Sequence, residues 1–388
     1  MIFEATLVLL SLLWLLAAIV GVYGLESSQS LSAVSLPDPE RWPKLSVVVA
    51  ALNEEATIEP ALRSLAACTY PNLEIIVIND RSTDRTGEII DAVAREHPAI
   101  RPLHIQELPA GWLGKVHALH RGTQAASGEW LLYTDADVHF EPGALEQAIR
   151  FSLSERLDHL AALPYLRAAT RLERAALVSF GVALSLTARP HRIGKPGSKA
   201  FLGVGAFNLV RRAKLESTPG FEWIKMEVAD DSGLAQLIVV NGGRSRFGRA
   251  YDLLNLEWYP SLKALVKGLE KNIYGVFAFY RAPIFFLKMC LLLPLLSAPF
   301  AAMLLGSPWV AAVGLLAVSA NAAVAVYASV RSGFGVLEGI LSPFVGTGVM
   351  IWALLLSAIA CWRDGGIRWR GTLYALADLR AGQRVKLW

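Results

Sequence analysis

Long apolar runs at both ends of this 388-residue sequence constrain its fold more than any other feature. Thr6–Tyr23 carries no charged residue, and at about 1.5 Å of rise per helical residue it covers most of a hydrocarbon core of roughly 30 Å. Three further apolar stretches follow later in the chain: Pro283–Leu305, Trp309–Val330 and Val336–Trp362. No basic residue precedes the first run and no Ala-x-Ala site follows it, so we expect a retained anchor rather than a cleaved signal peptide.

The charge balance argues against nucleic acid as a partner. The sequence has 37 Lys and Arg residues against 33 Asp and Glu, and this formal net charge of +4 is too small for a nucleic-acid binder. Hydrophobic residues make up 54% of the chain and charged residues 18%, which indicates the bilayer as a partner instead. The three cysteines are widely spaced and predict buried thiols rather than a zinc site or disulfides.

Between its apolar ends the chain alternates short β-branched runs with segments of helical periodicity, which predicts a mainly parallel α/β sheet covered by helices. The clearest predicted strands are Leu45–Leu52, Leu73–Ile78 and Trp130–Thr134, and the predicted helices are Ile58–Ala67, Thr86–Glu96 and Val116–Ala126. We therefore divide the chain into an N-terminal anchor (1–25), a Ser- and Pro-rich linker (26–44), an α/β domain (45–280), C-terminal transmembrane or interfacial helices (283–362) and a basic tail (363–388).

Polar and acidic residues directly follow three of the predicted strands. The first strand runs into Asn53 and Glu54, the second into Asp80, and the third into Asp135 and Asp137. Ligands of open parallel sheets bind beyond the carboxyl ends of the strands, so we expect these residues to face one crevice. Asp135 and Asp137, one residue apart, can share a divalent cation that neutralises a diphosphate, with a turn cap as the alternative. Asp80 can hydrogen-bond a ribose or base, or belong to the cap of the next helix.

Three later segments add candidate site residues. A Gly-rich turn (LPAGWLGK) ends at Lys115, whose charge suits a diphosphate, although a solvated lysine at a helix start is the alternative and the spacing is not that of a P-loop. Gly203 and Gly205 allow the backbone to lie close to a sugar or acceptor, or form a tight turn. Asp230 and Asp231 precede an apolar helical segment, which they can cap, or one of them can act as a general base.

The order of these features resembles that of a family-2 glycosyltransferase of the GT-A fold. More narrowly, the combination is similar to membrane-anchored lipid glycosyltransferases, namely ceramide glucosyltransferases and the bacterial enzymes associated with hopanoid and carotenoid glycosylation. The resemblance covers roughly residues 46–280 and the flanking membrane segments, and the C-terminal IRWRGTLY also looks like the tail that follows the last membrane helix of these enzymes. It implies a Rossmann-like GT-A sheet flanked by N- and C-terminal transmembrane helices.

The resemblance also implies roles for single residues. Asp135 and Asp137 match the metal-binding Asp-x-Asp and would hold Mg2+ or Mn2+, while Asp231 matches the catalytic base, with Asp230 as the alternative. Gly203 and Gly205 remain candidates for the acceptor side. The positions that would bind the donor are Asn53, Glu54, Asp80, Lys115, Asp135 and Lys271.

Lys271 enters this set where the sequence departs from the family. Many members carry Gln-x-x-Arg-Trp after the base, whereas the corresponding region here reads KGLEKN. Lys271 could serve the diphosphate in place of the arginine, without its bidentate contact. The departure argues against a processive enzyme that extrudes a polysaccharide.

The resulting expectation is an inverting, metal-dependent transfer of a sugar from a nucleotide-sugar, with UDP preferred by resemblance, to a hydroxyl of a membrane lipid. A polyprenyl-phosphate glycosyltransferase is the alternative enzyme, and a non-catalytic nucleotide-binding membrane protein is the alternative of another class. We expect a multi-pass protein of a bacterial inner membrane with a cytoplasmic catalytic domain. Three spanning segments after that domain would carry the tail outside, yet its basic residues favour the inside, so one stretch is expected to be re-entrant or interfacial.

Overall fold

A computed structural model describes residues 1–33 and 35–386 of the chain. Residue 34, in the predicted linker, and residues 387 and 388, at the end of the predicted tail, lie outside the described residues. The fold is an α/β domain bounded by apolar helices, which confirms the expected mainly parallel, Rossmann-like architecture.

One mixed sheet forms the centre of the domain. The strands are β1 (Gln29–Ser30), β2 (Leu45–Ala51), β3 (Leu73–Asp80), β4 (Ile100–Ile105), β5 (Trp130–Asp135), β6 (His139–Phe140), β7 (His159–Arg167), β8 (Asn208–Arg211) and β9 (Ser245–Glu257). They run in the order β1-β9-β7-β8-β5-β2-β3-β4, with β6 paired to β9. β2 pairs in parallel with β3 and β5, and β8 is antiparallel to both β5 and β7.

The helices that cover this sheet follow the predicted periodicity. Alternate residues of β2 enter two different cores, Val47 and Val49 on the side of α2 (Ile58–Ala66) and α3 (Thr86–Glu96) and Val48 on the side of α4 (Gly114–Ala125). Burial on both faces is why the strand is apolar at every position except Ser46. The helices between the strands are α2 (Ile58–Ala66), α3 (Thr86–Glu96), α4 (Gly114–Ala125), α5 (Ala144–Ser154), α6 (Arg171–Thr187), α7 (Arg212–Glu216), α8 (Phe221–Ile224) and α9 (Asp230–Val240). α10 (Leu262–Leu269) and α11 (Ile273–Ala278) follow β9.

Among the described residues, four helical stretches are long and apolar enough to cross a membrane. α1 (Ile2–Glu26), α12 (Ala282–Leu305) and α13 (Pro308–Arg331) pack against one another. The fourth stretch consists of α14 (Val336–Leu341), a π-helical turn (Ser342–Gly346) and α15 (Thr347–Asp364). It packs against α6, α10 and α11 of the α/β domain as well as against α13.

The last described residues fold back onto the domain instead of forming an extended tail. β10 (Gly366–Trp369) and β11 (Thr372–Ala375) form a hairpin, and α16 (Leu376–Gly382) follows it. Leu379 and Val385 are buried, and the backbone amides of Arg384 and Val385 donate to the buried Glu227 carboxylate. The basic segment is therefore part of the packed structure.

The predicted linker also contributes to the fold. Gln29–Ser30 extend the sheet beside β9, a 3-10 turn covers Leu31–Ala33, and Leu31 is buried in the core. Polar composition predicted a connector here because a two-residue strand and one buried leucine leave no periodic pattern.

Candidate active site

The candidate site lies beyond the carboxyl ends of β2, β3 and β5. β2 lies between the other two strands, and the sheet continues through β3 and β4 on one side and through β5 and β8 on the other. Asn53, two residues after the end of β2, has φ of 54°, and its side-chain oxygen accepts a hydrogen bond from the backbone amide of Thr83 at 2.8 Å. The same loop holds Glu54, whose backbone amide donates to the Thr86 hydroxyl at 2.8 Å. Two strand ends are thus tied together at the position where ligands of such sheets bind.

The centre of the site is a lysine held between two aspartates. Lys115, in the first turn of α4, places its Nζ 2.7 Å from Oδ1 of Asp135 and 3.3 Å from Oδ2 of Asp230. Burial alone would raise the pKa of Asp135, but Lys115 outweighs it and lowers that pKa. Burial and repulsion by Asp135 raise the pKa of Asp230 in spite of Lys115. Three residues that are distant in sequence thus form one charged cluster.

Asp137 is the second carboxylate of the predicted metal motif. Burial, with repulsion by Asp135 and then Glu54, raises its pKa to about 7. A divalent cation between such carboxylates would relieve this repulsion, so the donor set of Asp135 and Asp137 fits Mg2+ or Mn2+. Within residues 1–33 and 35–386, no group of three or more His, Cys, Asp or Glu side chains is placed to hold a metal. Two carboxylates would be a sufficient protein contribution for Mg2+, which is often bound by one or two carboxylates together with water and substrate phosphates.

Asp230 and Asp231 begin α9 but lie in different surroundings. Asp230 is buried against Lys115, whereas Asp231 is only half-buried and accepts a hydrogen bond from the Ser232 amide at 2.6 Å. Burial and repulsion by Asp230 raise the pKa of Asp231 to about 7. A carboxylate with this pKa is suited to proton transfer near neutral pH.

The two predicted glycines, Gly203 and Gly205, lie in close contact with the acidic residues of the site. A Cβ added to Gly203 would lie 1.9 Å from the Asp231 carbonyl oxygen, and one added to Gly205 would lie 2.7 Å from Oδ2 of Asp135. The side chain of Asn208 donates to the same Asp231 carbonyl at 3.0 Å. The closeness of Gly203 and Gly205 to the acidic residues supports a structural role for both glycines. A role toward an acceptor stays a prediction.

Asp80 ends β3 and is buried. Its carboxylate accepts hydrogen bonds from Nε and a terminal nitrogen of Arg81 at 2.7 and 2.9 Å. Contact with a nucleotide would require this pair to open or to share its donors, so the predicted ribose or base contact stays a prediction.

Lys271 reaches the site from the turn between α10 and α11. Burial, followed by repulsion from Lys115, lowers its pKa to about 8. Its Nζ lies 4.3 Å from the centre of the Trp369 ring, within the range of a cation–π contact. The crevice therefore contains Lys271 although the Gln-x-x-Arg-Trp pattern is absent.

Sequence reasoning missed two residues of the C-terminal hairpin, Trp369 and Arg370. Arg370 donates to the Leu52 carbonyl at 2.9 Å and pairs with the Glu54 carboxylate. The signal was present, since an Arg-Gly turn separates two short runs rich in aromatic and β-branched residues. This segment entered the sequence reasoning only as a resemblance to the tail of the family, and no site residue was assigned to it.

Comparisons with known proteins relate parts of the chain to a family and to a fold. Residues 46–218 match the family described as Glycosyl transferase family 2. The "Probable glycosyltransferase YdaM" of Bacillus subtilis (strain 168) is 38% identical over 97 residues, which cover 24% of this chain and 23% of that protein. The poly-beta-1,6-N-acetyl-D-glucosamine synthase of Staphylococcus epidermidis (strain ATCC 35984) is 29% identical over 138 residues, which cover 35% and 32% respectively. The chain thus matches about a third or less of the length of these relatives.

A solved structure resembles a larger part of the chain. The mannosyltransferase PcManGT from Pyrobaculum calidifontis, in complex with GDP-Man and Mn2+, is 21% identical, with a TM-score of 0.53 over 92% of this chain and 98% of that chain. This likeness supports the fold. Residues 46–218, somewhat less than half of the chain, thus match a glycosyltransferase family 2 domain, and the sheet order and this solved structure agree with a GT-A-like fold.

Proposed function

We propose that the protein transfers a sugar from a nucleotide-sugar, preferably a UDP-sugar, to a hydroxyl of a membrane lipid, with inversion at the sugar carbon. The observation that carries this proposal is the cluster of Lys115, Asp135 and Asp230 at the strand ends, with Asp231 beside it. The bound GDP-Man and Mn2+ of the mannosyltransferase support a nucleotide-sugar donor and a divalent cation here. UDP is preferred from the sequence resemblance.

The residues divide between donor and acceptor. Lys115 and Lys271 provide positive charge for the diphosphate, and Asn53, Glu54 and Asp80 lie at the strand ends where the nucleoside would bind. Asp135 and Asp137 would hold Mg2+ or Mn2+, which supplies charge neutralisation to the leaving diphosphate when bound.

Asp231 is the proposed general base. It takes the proton of the acceptor hydroxyl as that oxygen forms a bond to C1 of the sugar. The bond between C1 and the phosphate oxygen breaks, and the nucleoside diphosphate leaves with the electron pair. One displacement inverts C1 without a covalent enzyme intermediate.

An apolar groove next to the site supports a lipid acceptor. The groove has a volume of about 740 Å³ and lies between α10 and the fourth apolar stretch, with Leu262, Val266, Val349 and Trp352 in its lining. Glu270 also lines it, and the next residue, Lys271, faces the acidic cluster. We assign the groove to the apolar chain of the acceptor, because its lining is mainly apolar, is formed in part by the fourth apolar stretch, and ends one residue before Lys271. The resemblance to ceramide, hopanoid and carotenoid glycosyltransferases supports the same acceptor class.

Contacts at the ends of the apolar helices support a definite membrane topology. The Glu4 carboxylate accepts from the Ser307 amide at 2.8 Å, so the start of α1 lies beside the turn between α12 and α13. At the opposite end, Glu26 pairs with Arg331 near the α/β domain. We therefore propose that α1, α12 and α13 span the membrane. Residues 1–5 and 305–308, at the distal end, contain no Lys or Arg, which favours a cytoplasmic domain, as in a bacterial inner membrane.

The fourth apolar stretch is better explained as an interfacial helix. Near its start, a Cβ on Gly333 would lie 2.9 Å from the Tyr165 ring, and Glu338 lies 3.7 Å from Arg174, both in the domain. Its end at Asp364 leads directly into the hairpin that enters the crevice. Both ends of the fourth apolar stretch contact the α/β domain, so we infer that the stretch lies along the domain and does not cross the membrane. The C-terminal tail then stays on the same side of the membrane as the domain.

The decisive experiment measures nucleoside diphosphate released from UDP- and GDP-sugars by the detergent-purified protein. Each donor is tested with Mg2+ or Mn2+ and a total lipid extract, and EDTA and Asp231→Asn serve as controls. Release that needs the metal, Asp231 and the lipid is expected. Release of nucleoside diphosphate without lipid would contradict the proposal that the acceptor is a lipid. An acid-labile, phosphate-linked product would favour the polyprenyl-phosphate reaction. Nucleotide binding without turnover would favour a binding protein.

A further inference from the structure

We propose that Arg370, at the tip of the C-terminal hairpin, binds the diphosphate of the nucleotide-sugar, so that this hairpin forms one wall of the donor site. The inference rests on the proposed function, because it assigns a ligand to the same crevice. It adds a binding residue from the end of the chain, more than 300 residues after the strand whose end it contacts.

The position of the Arg370 side chain is the first observation. One terminal nitrogen donates to the Leu52 carbonyl at 2.9 Å, and the other pairs with Glu54. Both partners lie in the loop that follows β2, and the neighbouring residue Ala50 of β2 pairs with Asp135 of β5 in the sheet. The guanidinium therefore stands at the edge of the acidic crevice.

The backbone of the hairpin tip is the second observation. Arg370 has φ of 49° and Gly371 has φ of 82°, so both residues of the two-residue turn are left-handed. Turns of this kind favour Asn, Asp or Gly at the first position, and an arginine is a costly choice there. A residue kept in a rare conformation near a crevice indicates a role for its side chain.

The hairpin is fixed to the domain, which is the third observation. The hydroxyl of Tyr374 accepts a hydrogen bond from the Gly114 amide at 3.1 Å, directly before Lys115. Ile367 and Tyr374 are buried in the same core as α4. Trp369, next to Arg370, lies under the Lys271 ammonium. The hairpin thus holds the Arg370 guanidinium and the Lys271 ammonium in place at the crevice.

Charge and geometry select the ligand. A guanidinium offers paired N–H donors that match the oxygens of a phosphate. The Arg370 side chain is 45% exposed and that of Glu54 21%, so their ion pair lies in a solvated setting and is weak enough to be exchanged for a phosphate. Lys115, in contrast, is held by two carboxylates. The Arg370 guanidinium can therefore turn toward an incoming diphosphate at small cost.

The test compares nucleotide binding to the full chain and to Arg370 variants by calorimetry in detergent, with Mg2+ or Mn2+ present. The probes are UDP and GDP, and uridine and guanosine are measured by competition. For the diphosphate that the unaltered protein binds, Arg370→Ala and Arg370→Gln should raise Kd roughly ten- to hundredfold, and Arg370→Lys should raise it less. Affinity for the nucleoside should be unchanged.

Arg368→Ala is the matched control, because Arg368 lies on the same hairpin, is 64% exposed and pairs with Asp364 at 3.4 Å. It should leave the Kd unchanged, and the melting temperature of each variant checks its fold. Diphosphate binding by Arg370→Ala and Arg370→Gln that equals that of the unaltered protein would overturn the inference and leave the proposed function standing. An equal loss of nucleoside affinity would also overturn it. If the unaltered protein binds neither UDP nor GDP, the proposed function itself fails.

Discussion

Two neighbouring carboxyl groups, Asp230 and Asp231, are distinguished by their contacts. Asp230 is buried against Lys115, and Asp231 is half-buried with a pKa of about 7. We expect Asp231→Asn to lower turnover by roughly 100- to 10,000-fold, because the amide cannot accept the acceptor's proton. Donor binding should be retained, which calorimetry with UDP or GDP checks beside the activity measurement. Substantial turnover by this variant would rule out Asp231 as the base.

Asp135→Ala should also abolish turnover, but for a different reason. The change removes one of two carboxylates proposed for the metal and one of the two partners of Lys115. We therefore expect nucleotide binding to become insensitive to Mn2+ and EDTA in this variant, whereas Asp231→Asn stays sensitive. A metal response equal to that of the unaltered protein would place the metal elsewhere.

At the residue scale, sequence reasoning found the acids and Lys115 but not their pairings. Spacing located Asp135 and Asp230 at the starts of a loop and a helix, and nothing local required both to contact one lysine. Such contacts depend on how elements pack, which is a tertiary property. The pairing of Asp80 with the adjacent Arg81 was equally invisible, because it depends on the φ of 60° at Arg81.

At the scale of elements, the segment before β8 fixes the start of α9. A Cβ on Gly203 would lie 2.2 Å from the Asp231 carbonyl carbon, and this backbone cannot move aside as a side chain could. We expect Gly203→Ala to lower the free energy of unfolding by roughly 1–3 kcal/mol and to lower turnover as well, since Asp231 must shift.

Gly143→Ala is the control for this substitution, because no atom lies within 4 Å of the added methyl group. Thermal unfolding and nucleoside diphosphate release are measured for both variants. A Gly203→Ala protein that matches Gly143→Ala in both measurements would show that the close approach is not needed.

A buried histidine joins three strands of the sheet and should make stability depend on pH. His159 of β7 contacts Ser245 of β9 at 2.7 Å and Asn208 of β8, and burial lowers its pKa to about 4. The unfolded chain takes up this proton near pH 6.5 and the folded chain only near pH 4. Titration of His159 therefore costs no stability above about pH 6.5. Below that pH it lowers the free energy of unfolding by about 1.4 kcal/mol per pH unit as the pH drops toward 4.

The change of melting temperature between pH 7 and pH 5 measures this effect. His159→Gln should show a flatter pH dependence over that interval, even if the substitution lowers stability at every pH. Parallel curves for the two proteins would mean that other groups cause the pH dependence.

Sheet elements were predictable because β-branched runs and turn residues are local signals. β2, β3 and β5 begin at the predicted residues, and α3 covers the predicted range. The hairpin of β10 and β11 was missed because its strands have four residues each and pair only locally. The π-helical turn in the fourth apolar stretch was not predicted either, since an apolar composition does not distinguish a π-helical from an α-helical turn.

For the whole molecule, the proposed topology has a direct test by cysteine labelling. Three spanning helices and one interfacial stretch put Ser307 on the far side of the membrane and Lys386 on the side of the domain. In a variant without native cysteines, Ser307→Cys in intact bacterial cells should react with a membrane-impermeant maleimide. Lys386→Cys should react only after the cells are opened. Labelling of Lys386→Cys in intact cells would mean that the fourth stretch crosses the membrane.

The sequence alone left the side of the tail open, because charge bias and the number of apolar stretches gave opposite answers. The contacts of Arg370 with Leu52 and Glu54 favour a tail on the same side of the membrane as the α/β domain. No local pattern could have supplied a contact across more than 300 residues.

The C-terminal hairpin also bears on which fragment of this chain can be studied by itself. The segment matched by the family, residues 46–218, contains Lys115 and Asp135 but ends before Asp230, Asp231, Lys271 and Arg370. It also lacks β9, so that β7 would become an unprotected sheet edge prone to aggregation. A soluble truncation at the border of the recognisable domain would thus have half a crevice and an exposed edge, and inactivity of such a fragment would carry no information about the enzyme.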